Sequence, residues 1–231
     1  MHCKALLFDL EGSAMHCKAL LFDLDGTLVT SLNFVEHSWT RWAEMHGLCA
    51  LEVRNFLHGK PAISTLRHFL PQASEAELHH QFLALEEYEA THTEGIEALP
   101  GASTFLTRLN ELEIPWGIVT SGSMKVAAAR IRQTGLPLPP VLITSENIIH
   151  GKPHPQPFLL GAERLGIQPE QCAAFEDSLA GLQSVWAAGC QAVEVKTAHS
   201  VPHNLGQIPA LEDYCSIRIS PRYDHFFLSF Q

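Results

Sequence analysis

The chain has 231 residues, of which 46% are hydrophobic and 17% charged, which is enough for one sizeable globular domain with a small insert. Its formal net charge of -10 argues against a nucleic-acid or anionic-membrane binder, since both need a basic surface, and no apolar run approaches the roughly 20 residues of a membrane span. Scattered cysteines without a C-x-x-C pair, and the lack of a secretory signal, predict a reducing, cytoplasmic location.

The N-terminus contains an immediate duplication. The first ten residues, MHCKALLFDL, are repeated from Met15 onward, and Glu11 then stands where Asp25 follows in the second copy. One interpretation is a cloning or gene-start artefact with Met15 as the natural start; the other is an added edge strand or a swapped segment. Only the second copy runs into a complete acidic motif. We therefore expect it to occupy the central strand, residues 1–14 to be a duplicated leader, and Asp9 to be non-catalytic.

From Met15 onward, short apolar runs typical of buried parallel strands alternate with segments of helical periodicity. The predicted strands are Ala19–Leu24, Trp116–Thr120, Val141–Thr144, Cys172–Phe175 and Ala192–Val195. The predicted helices between them are Ser103–Leu112, Lys125–Thr134, Gln156–Leu165 and Ser178–Ala188. This alternation predicts an α/β fold with a parallel sheet and helices on both faces.

Residues 31–95 break this rhythm and predict an all-helical insert directly after the first strand. Within it, Ser74 and Glu77 form a capping-box pattern that opens a helix through about Thr91. The remaining residues, 15–30 and 96–231, are assigned to one core. The C-terminal tail alternates in part (SIRIS, FFLSF) and predicts a terminal hairpin at the sheet edge.

Four polar stretches follow predicted strands, at the edge where open α/β sheets bind ligands. They are Asp23–Thr27, Thr120–Ser123, Gly151–Pro155 and Phe175–Ser178. Each alone also fits an ordinary turn or helix cap. Their joint occurrence, in the order acid pair, hydroxyl, lysine and acid pair, favours a common site.

The acids in these stretches predict a magnesium site. Asp23 and Asp25 are two apart on an extended strand end and therefore point to the same side. Adjacent carboxylates repel unless a proton or cation lies between them, and Mg²⁺ prefers oxygen ligands. Glu176 and Asp177 would complete the oxygen cage.

The hydroxyl and lysine stretches predict an anion site. The hydroxyl of Ser121 or Thr120, with the backbone N–H of Gly122, lies just before a helix, where anions bind. Lys152, held between a glycine and a proline, can offset the charge on a phosphate and on a carboxylate nucleophile.

With these four motifs, the sequence from Met15 to about Val195 resembles the haloacid dehalogenase-like hydrolases, which carry them in this order on a Rossmann-like core. The helical insert resembles the C1-type cap of that family. More narrowly, FDLDGTLVTS, HGK, VTSGS, GKPHP and FEDS resemble bacterial sugar phosphatases of the hexitol phosphatase and 2-deoxyglucose-6-phosphatase kind.

The resemblance implies a Mg²⁺-dependent phosphatase for small sugar or polyol phosphates. Asp23 would form an aspartyl-phosphate, and Asp25 would protonate the leaving oxygen and later activate water. Asp23, the backbone carbonyl of Asp25 and Asp177 would hold the metal, with Glu176 binding directly or through water. Ser121 and Gly122 would hold phosphate oxygens, with Thr120 as the rival hydroxyl.

The insert is expected to decide the substrate. His58, Gly59 and Lys60 form a small polar loop, and similar loops in the resembled family reach into the active site. Arg67 is a further candidate for substrate contact. A solvated face of the insert is the alternative for all four residues.

Other functions remain open at this point. A phosphoglucomutase-type phosphoryl transfer uses the same motifs. A haloacid dehalogenase is disfavoured, because it would leave Asp25 and the Glu176–Asp177 pair without a purpose. A non-catalytic binding or regulatory module is the remaining alternative. The expected partner is a small-molecule sugar or polyol phosphate, with no nucleic acid or membrane, and the chain is predicted to be a monomer or weak dimer.

Overall fold

The fold is known from a computed structural model that describes residues 15–196, 208–223 and 225–230. Its strands are β1 (Met15–Cys17), β2 (Ala19–Phe22), β3 (Trp116–Val119), β4 (Val141–Ile143), β5 (Cys172–Glu176), β6 (Gln191–Val195), β7 (Ala210–Leu211), β8 (Ile217–Pro221) and β9 (Phe226–Phe230). Its helices are α1 (Leu32–Met45), α2 (Ala50–Leu57), α3 (Ala62–Phe69), α4 (Glu75–Thr91), α5 (Ala102–Glu111), α6 (Met124–Thr134), α7 (Gln156–Leu165) and α8 (Leu179–Ala188).

Six parallel strands form the main sheet, in the order β4–β3–β2–β5–β6–β7. In the central strand β2, Leu21 lies opposite Gly117 of β3 and Ala174 of β5. The second copy of the duplicated segment therefore occupies the central strand, as predicted. The leader, with Asp9, lies outside the described residues.

Successive side chains of β2 enter hydrophobic clusters on opposite faces of the sheet, because side chains alternate along a strand. Leu20 and Phe22 pack in the cluster that contains side chains of α5 and α6, such as Leu106. Leu21 packs in the cluster that contains side chains of α7 and α8, such as Phe158. The predicted α/β fold, with helices on both faces of a parallel sheet, is confirmed.

The segment between β2 and α5 forms the four helices α1–α4, hereafter the helical insert. It has a hydrophobic cluster of its own, which includes Trp39, Trp42, Leu66 and Leu85. The capping box predicted at the start of α4 is present: the Ser74 hydroxyl accepts from the Glu77 N–H at 3.3 Å. In the part of the chain that the structure describes, no helix is long and apolar enough to span a bilayer.

The predicted C-terminal hairpin is confirmed as β8 and β9, but its position differs from the expectation. It pairs with β1 in a separate three-stranded antiparallel sheet and does not extend the main sheet. Lys18 alone separates β1 from β2, so the chain passes directly from this small sheet into the centre of the large one.

Candidate active site

Asp23 and Lys152 form a buried, hydrogen-bonded pair at the carboxyl end of the central strands. The Lys152 ammonium lies 2.6 Å from Asp23 Oδ1 and 2.5 Å from Glu176 Oε1, and it donates to the Val119 carbonyl at 3.0 Å. Burial disfavours the charged amine, but the negative charges of Asp23 and Glu176 outweigh it and hold the pKa of Lys152 above its usual range. The lysine is thus fixed as a cation beside Asp23.

Glu176 is fixed on its other side by the start of α8. Its Oε2 accepts hydrogen bonds from the Ser178 N–H and the Ser178 hydroxyl, both at 3.0 Å. A Cβ at Gly181 would overlap the Glu176 carboxylate, so the helix can approach this closely only with glycine at that position. Both carboxylate oxygens of Glu176 therefore have protein donors.

Asp177 lies against the turn that follows Asp23. The Thr27 hydroxyl donates to Asp177 Oδ1 at 3.1 Å. Gly26 has a positive φ of +86°, and a Cβ there would lie 2.8 Å from Asp177 Cγ. Glycine at position 26 therefore permits both the positive φ of this turn and the close approach of Asp177.

Asp23, Glu176 and Asp177 are all buried, and each offers a carboxylate oxygen within 4.8 Å of the others. Burial raises the pKa of Asp23 to about 8, against the opposing effect of Lys152 and with a further contribution from Glu176. Burial and the charges of Glu176 and Asp23 raise the pKa of Asp177 well above its usual value. This cluster needs a proton or a cation, and its all-oxygen donor set fits Mg²⁺.

The hydroxyl stretch after β3, Thr120–Ser123, lies at the same strand ends as the acidic cluster. Thr120 Oγ1 accepts a hydrogen bond from the Gly122 N–H at 3.0 Å, so this N–H, expected to face an anion, is bonded within its own turn. The Ser121 hydroxyl donates to the Gly59 carbonyl at 3.0 Å. Ser123 then caps α6 through the Val126 N–H.

Asp25 is the least buried of the four acids predicted for the site, with 23% of its side chain exposed. Its Oδ1 accepts hydrogen bonds from the Ser31 hydroxyl and from Nε of Arg130, the latter at 3.1 Å. A residue distant in sequence also contacts the loop after Asp25: the Tyr214 hydroxyl donates to the Thr27 carbonyl at 3.0 Å.

The polar loop between α2 and α3 reaches the strand ends. Gly59 has a φ of +72°, and a Cβ there would lie 2.8 Å from Ser178 Cβ. His58 Nε2 lies 3.0 Å from Glu36 Oε1. Lys60 donates to the Phe56 carbonyl at 2.9 Å, and its ammonium lies 3.4 Å from the centroid of the Phe56 ring.

A cleft separates the strand ends from the helical insert. It is lined by every predicted catalytic residue except Lys152, which lies beneath Asp23, and by the loop from His58 to Lys60. Arg67, the further candidate for substrate contact, is not among the residues that line the cleft: it is 53% exposed and pairs with Glu75 at 2.7 Å. Because two residues along a helix are about 200° apart, Thr65 faces the cleft and Arg67 faces solvent.

A family model of haloacid dehalogenase-like hydrolases matches residues 17–189, which include all four motifs. This chain belongs to that family.

Relatives of this haloacid dehalogenase-like hydrolase include named sugar phosphatases. It is 53% identical to hexitol phosphatase A of Escherichia coli over 87% of each chain. It is 31% identical to fructose-1-phosphate phosphatase YqaB of E. coli over 61% of this chain and 75% of the relative. The crystal structure of β-phosphoglucomutase from Clostridium difficile superimposes with a TM-score of 0.76 at 21% identity, over 86% of this chain and 92% of that one, which establishes the shared fold.

Sequence reasoning missed several residues of the cleft in this haloacid dehalogenase-like hydrolase. Glu86 and Glu89 of α4 line it, and Thr65 lines it with a buried hydroxyl that has no hydrogen-bond partner among the residues that the structure describes. Arg130 lies behind Asp25 and is fully buried. The sequence does indicate that Arg130 is buried, because helical spacing places it on the same face of α6 as Val126 and Ala127.

Proposed function

We propose that this chain is a magnesium-dependent phosphatase that hydrolyses small sugar or polyol phosphates, with hexitol phosphates the first candidates. The observation that carries the proposal is the convergence of Asp23, Lys152 and Asp177, with Asp25 beside them, from separate strand ends. Membership of the hydrolase family and the 53% identity to a hexitol phosphatase support the reaction class and the substrate class.

In the first half-reaction, a carboxylate oxygen of Asp23 attacks phosphorus. The new bond joins Asp23 to the phosphoryl group, and the bond between phosphorus and the sugar oxygen breaks. Asp25 donates a proton to that leaving oxygen, which departs as the alcohol. The open side of Asp25 toward the cleft supports this role, because a general acid must reach the leaving group.

In the second half-reaction, water attacks the phosphorus of the aspartyl-phosphate. Asp25, now a carboxylate, takes the proton from that water, the acyl phosphate bond breaks, and inorganic phosphate leaves Asp23 free. Lys152 offsets negative charge on Asp23 and on the phosphoryl group, and Glu176 holds Lys152 in position. Ser121, with Thr120 behind it, supplies the polar wall for phosphate oxygens.

Asp23, Asp177 and the backbone carbonyl of Asp25 would hold Mg²⁺. When bound, the ion would offset the charge that spreads over the transferring phosphoryl oxygens. Glu176 is assigned an outer position, because both of its oxygens already accept hydrogen bonds from Lys152 and Ser178.

We further propose that residues 31–95 act as a cap over a core formed by residues 15–30 and 96–231. The separate hydrophobic cluster of the helical insert supports this division. The cap would recognise the sugar through His58 and Lys60, while Gly59 lets the loop approach Ser178 closely. Lys60→Ala should raise KM more for sugar phosphates than for para-nitrophenyl phosphate.

The test is a phosphate-release assay against a panel of hexitol, hexose and pentose phosphates, with Mg²⁺ or with EDTA. We expect release of inorganic phosphate only with Mg²⁺, and loss of release in Asp23→Asn, which keeps the shape of the side chain. An Asp23→Asn protein with full turnover would refute the covalent route. Conversion of glucose 1-phosphate to glucose 6-phosphate without phosphate release would instead identify a mutase.

We also propose a cytoplasmic location and a monomeric or weakly dimeric state. All five cysteines that the structure describes are free, which is in keeping with a reducing compartment. Size-exclusion chromatography with light scattering measures the oligomeric state directly.

A further inference from the structure

A buried arginine connects Asp25 to the helical insert. Arg130 of α6 is fully buried, and its Nε donates to Asp25 Oδ1 at 3.1 Å. Its Nη1 donates to the carbonyl oxygen of Glu89 in α4 at 2.7 Å, and its Nη2 lies 3.3 Å from Glu89 Oε2. One guanidinium therefore contacts both the core and the insert.

Burying this guanidinium costs more free energy than burying an apolar side chain at the same position would. Removing a guanidinium from water is costly unless its partners are well placed, and a leucine or methionine would fill the same face of α6 without that cost. The polar partners of Arg130 are Asp25 and Glu89, and both line the cleft. The ring of Phe34, 5.1 Å from the guanidinium carbon, covers another side of the group. The guanidinium is thus held by two residues that line the cleft, although Arg130 itself is buried behind them.

The two carboxylate oxygens of Asp25 differ in their hydrogen bonds. Oδ1 accepts from both Ser31 and Arg130. Among the described residues no donor bonds to Oδ2, which remains on the acid as the oxygen able to exchange a proton. Fixing one oxygen of a carboxylate sets the direction of the other, and a general acid or base needs that direction to be held.

We infer that Arg130 is a positioning residue for Asp25: its guanidinium fixes Oδ1 so that Oδ2 exchanges protons in both half-reactions, and Glu89 ties that guanidinium to the helical insert. The inference rests on the proposed function, since it presupposes that Asp25 transfers protons. It also makes the position of α4 part of the acid–base apparatus, because α4 carries Glu89.

The test compares Arg130→Met with Arg132→Met, a control in the same helix whose side chain is exposed. For a hexitol phosphate, Arg130→Met should lower kcat about tenfold to a hundredfold and leave KM within about twofold. With para-nitrophenyl phosphate, whose leaving group needs no proton, acid quenching during turnover should trap a larger fraction of the enzyme as the aspartyl-phosphate, because only water activation then depends on Asp25. Arg130→Lys should recover part of kcat, and Glu89→Gln should lose less than Arg130→Met.

Arg132→Met should match the wild type in kcat and in trapped phosphoenzyme. If Arg130→Met does not fold, Arg130→Lys and the double variant Arg130→Met/Glu89→Gln are judged by the same two readouts. The inference is overturned if folded Arg130 variants match Arg132→Met in both. If the wild type releases no phosphate from any sugar phosphate, the proposed function itself fails, so the two failures are distinguishable.

Discussion

Thr65 places a buried, unpaired hydroxyl among the described residues that line the cleft. It is fully buried in the insert, and no donor or acceptor in the described part of the chain bonds its hydroxyl. Thr65→Val keeps the shape and removes the unpaired oxygen, so it should raise the free energy of unfolding by about 1 kcal/mol. If that oxygen bonds a sugar hydroxyl, the same change should raise KM for a hexitol phosphate roughly tenfold.

Thermal unfolding and steady-state kinetics measure the two effects separately. Thr107→Val is the matched control, because Thr107 is exposed on α5, away from the cleft. Para-nitrophenyl phosphate, which has no sugar hydroxyls, should show an unchanged KM with Thr65→Val. An unchanged KM for the hexitol phosphate as well would remove Thr65 from substrate recognition.

The acidic cluster predicts how stability depends on pH and on metal. Because burial raises the pKa of Asp23 to about 8, the folded protein holds a proton there that the unfolded chain releases near its ordinary, lower pKa. Without metal, this group therefore stabilises the fold in acid, and its contribution is lost as pH rises toward about 8. Bound Mg²⁺ would take the place of the proton, so it should raise Tm more at about pH 8 than at about pH 5, where it would have to displace protons.

Thermal scans with Mg²⁺ and with EDTA at both pH values check this expectation. Asp177→Asn removes one carboxylate of the cluster and should reduce the Mg²⁺-dependent gain in Tm. A Tm that ignores Mg²⁺ at both pH values would contradict a metal site at these residues.

At the level of elements, the loop between α2 and α3 depends on a glycine that contacts the core. Gly59 and Gly47 both have positive φ and both lie in the helical insert, but an added Cβ would come within 4 Å of other atoms only at Gly59, where it would meet Ser178 and Ala180. Gly59→Ala and Gly47→Ala should therefore each lose about 1 kcal/mol of stability from backbone strain. Only Gly59→Ala should also lower turnover, by roughly tenfold, because it displaces the loop from Ser178.

Equal turnover in the two alanine variants would mean that the loop does not need its contact with Ser178. A loss confined to sugar phosphates, with para-nitrophenyl phosphate unaffected, would assign the loop to substrate recognition and would support the cap proposal.

The main sheet and its helices were predictable because each element carries a complete local signal. Apolar runs such as WGIV and CAAF end in polar motifs, and Gly135, Gly166 and Gly189 stop the helices that follow. β1 and β7 were missed because their three and two residues form no apolar run that ends in a polar motif. Their pairing depends on partners distant in sequence.

The site was predictable to the extent that its residues belong to motifs at strand ends. Asp23, Lys152 and Asp177 come together as expected. The approach of Arg130 to Asp25 depends on how α6 packs on the strand ends, and the exposure of Arg67 depends on the orientation of α3, and local patterns encode neither. Thr65 was missed for the same reason, since its role is visible only once α3 has a known orientation.

For the whole molecule, the duplicated N-terminus offers a direct experiment on why the second copy forms β2. Removing residues 15–28 would join Ala14 to Val29 and bring the first copy into the same place with the same spacing. Compared with a chain that lacks residues 1–14, the product differs only by Glu for Asp25, Ser for Thr27 and Ala for Leu28.

We expect the chain without residues 1–14 to keep the turnover and Tm of the full chain, because the described residues from Met15 onward contain the whole candidate site. The chain without residues 15–28 should lose turnover about a hundredfold or more, since the longer Glu11 side chain misplaces its proton relative to Asp25. It should also lose about 2 to 5 kcal/mol of stability, because Leu28 is fully buried and alanine leaves a cavity.

Asp25→Glu and Leu28→Ala, made singly in the chain without residues 1–14, separate the two losses. Asp25→Glu should affect turnover alone, and Leu28→Ala should affect mainly Tm. Equal activity in the two shortened chains would mean that the acid–base position tolerates an extra methylene, and the role assigned to Asp25 would then have to be abandoned.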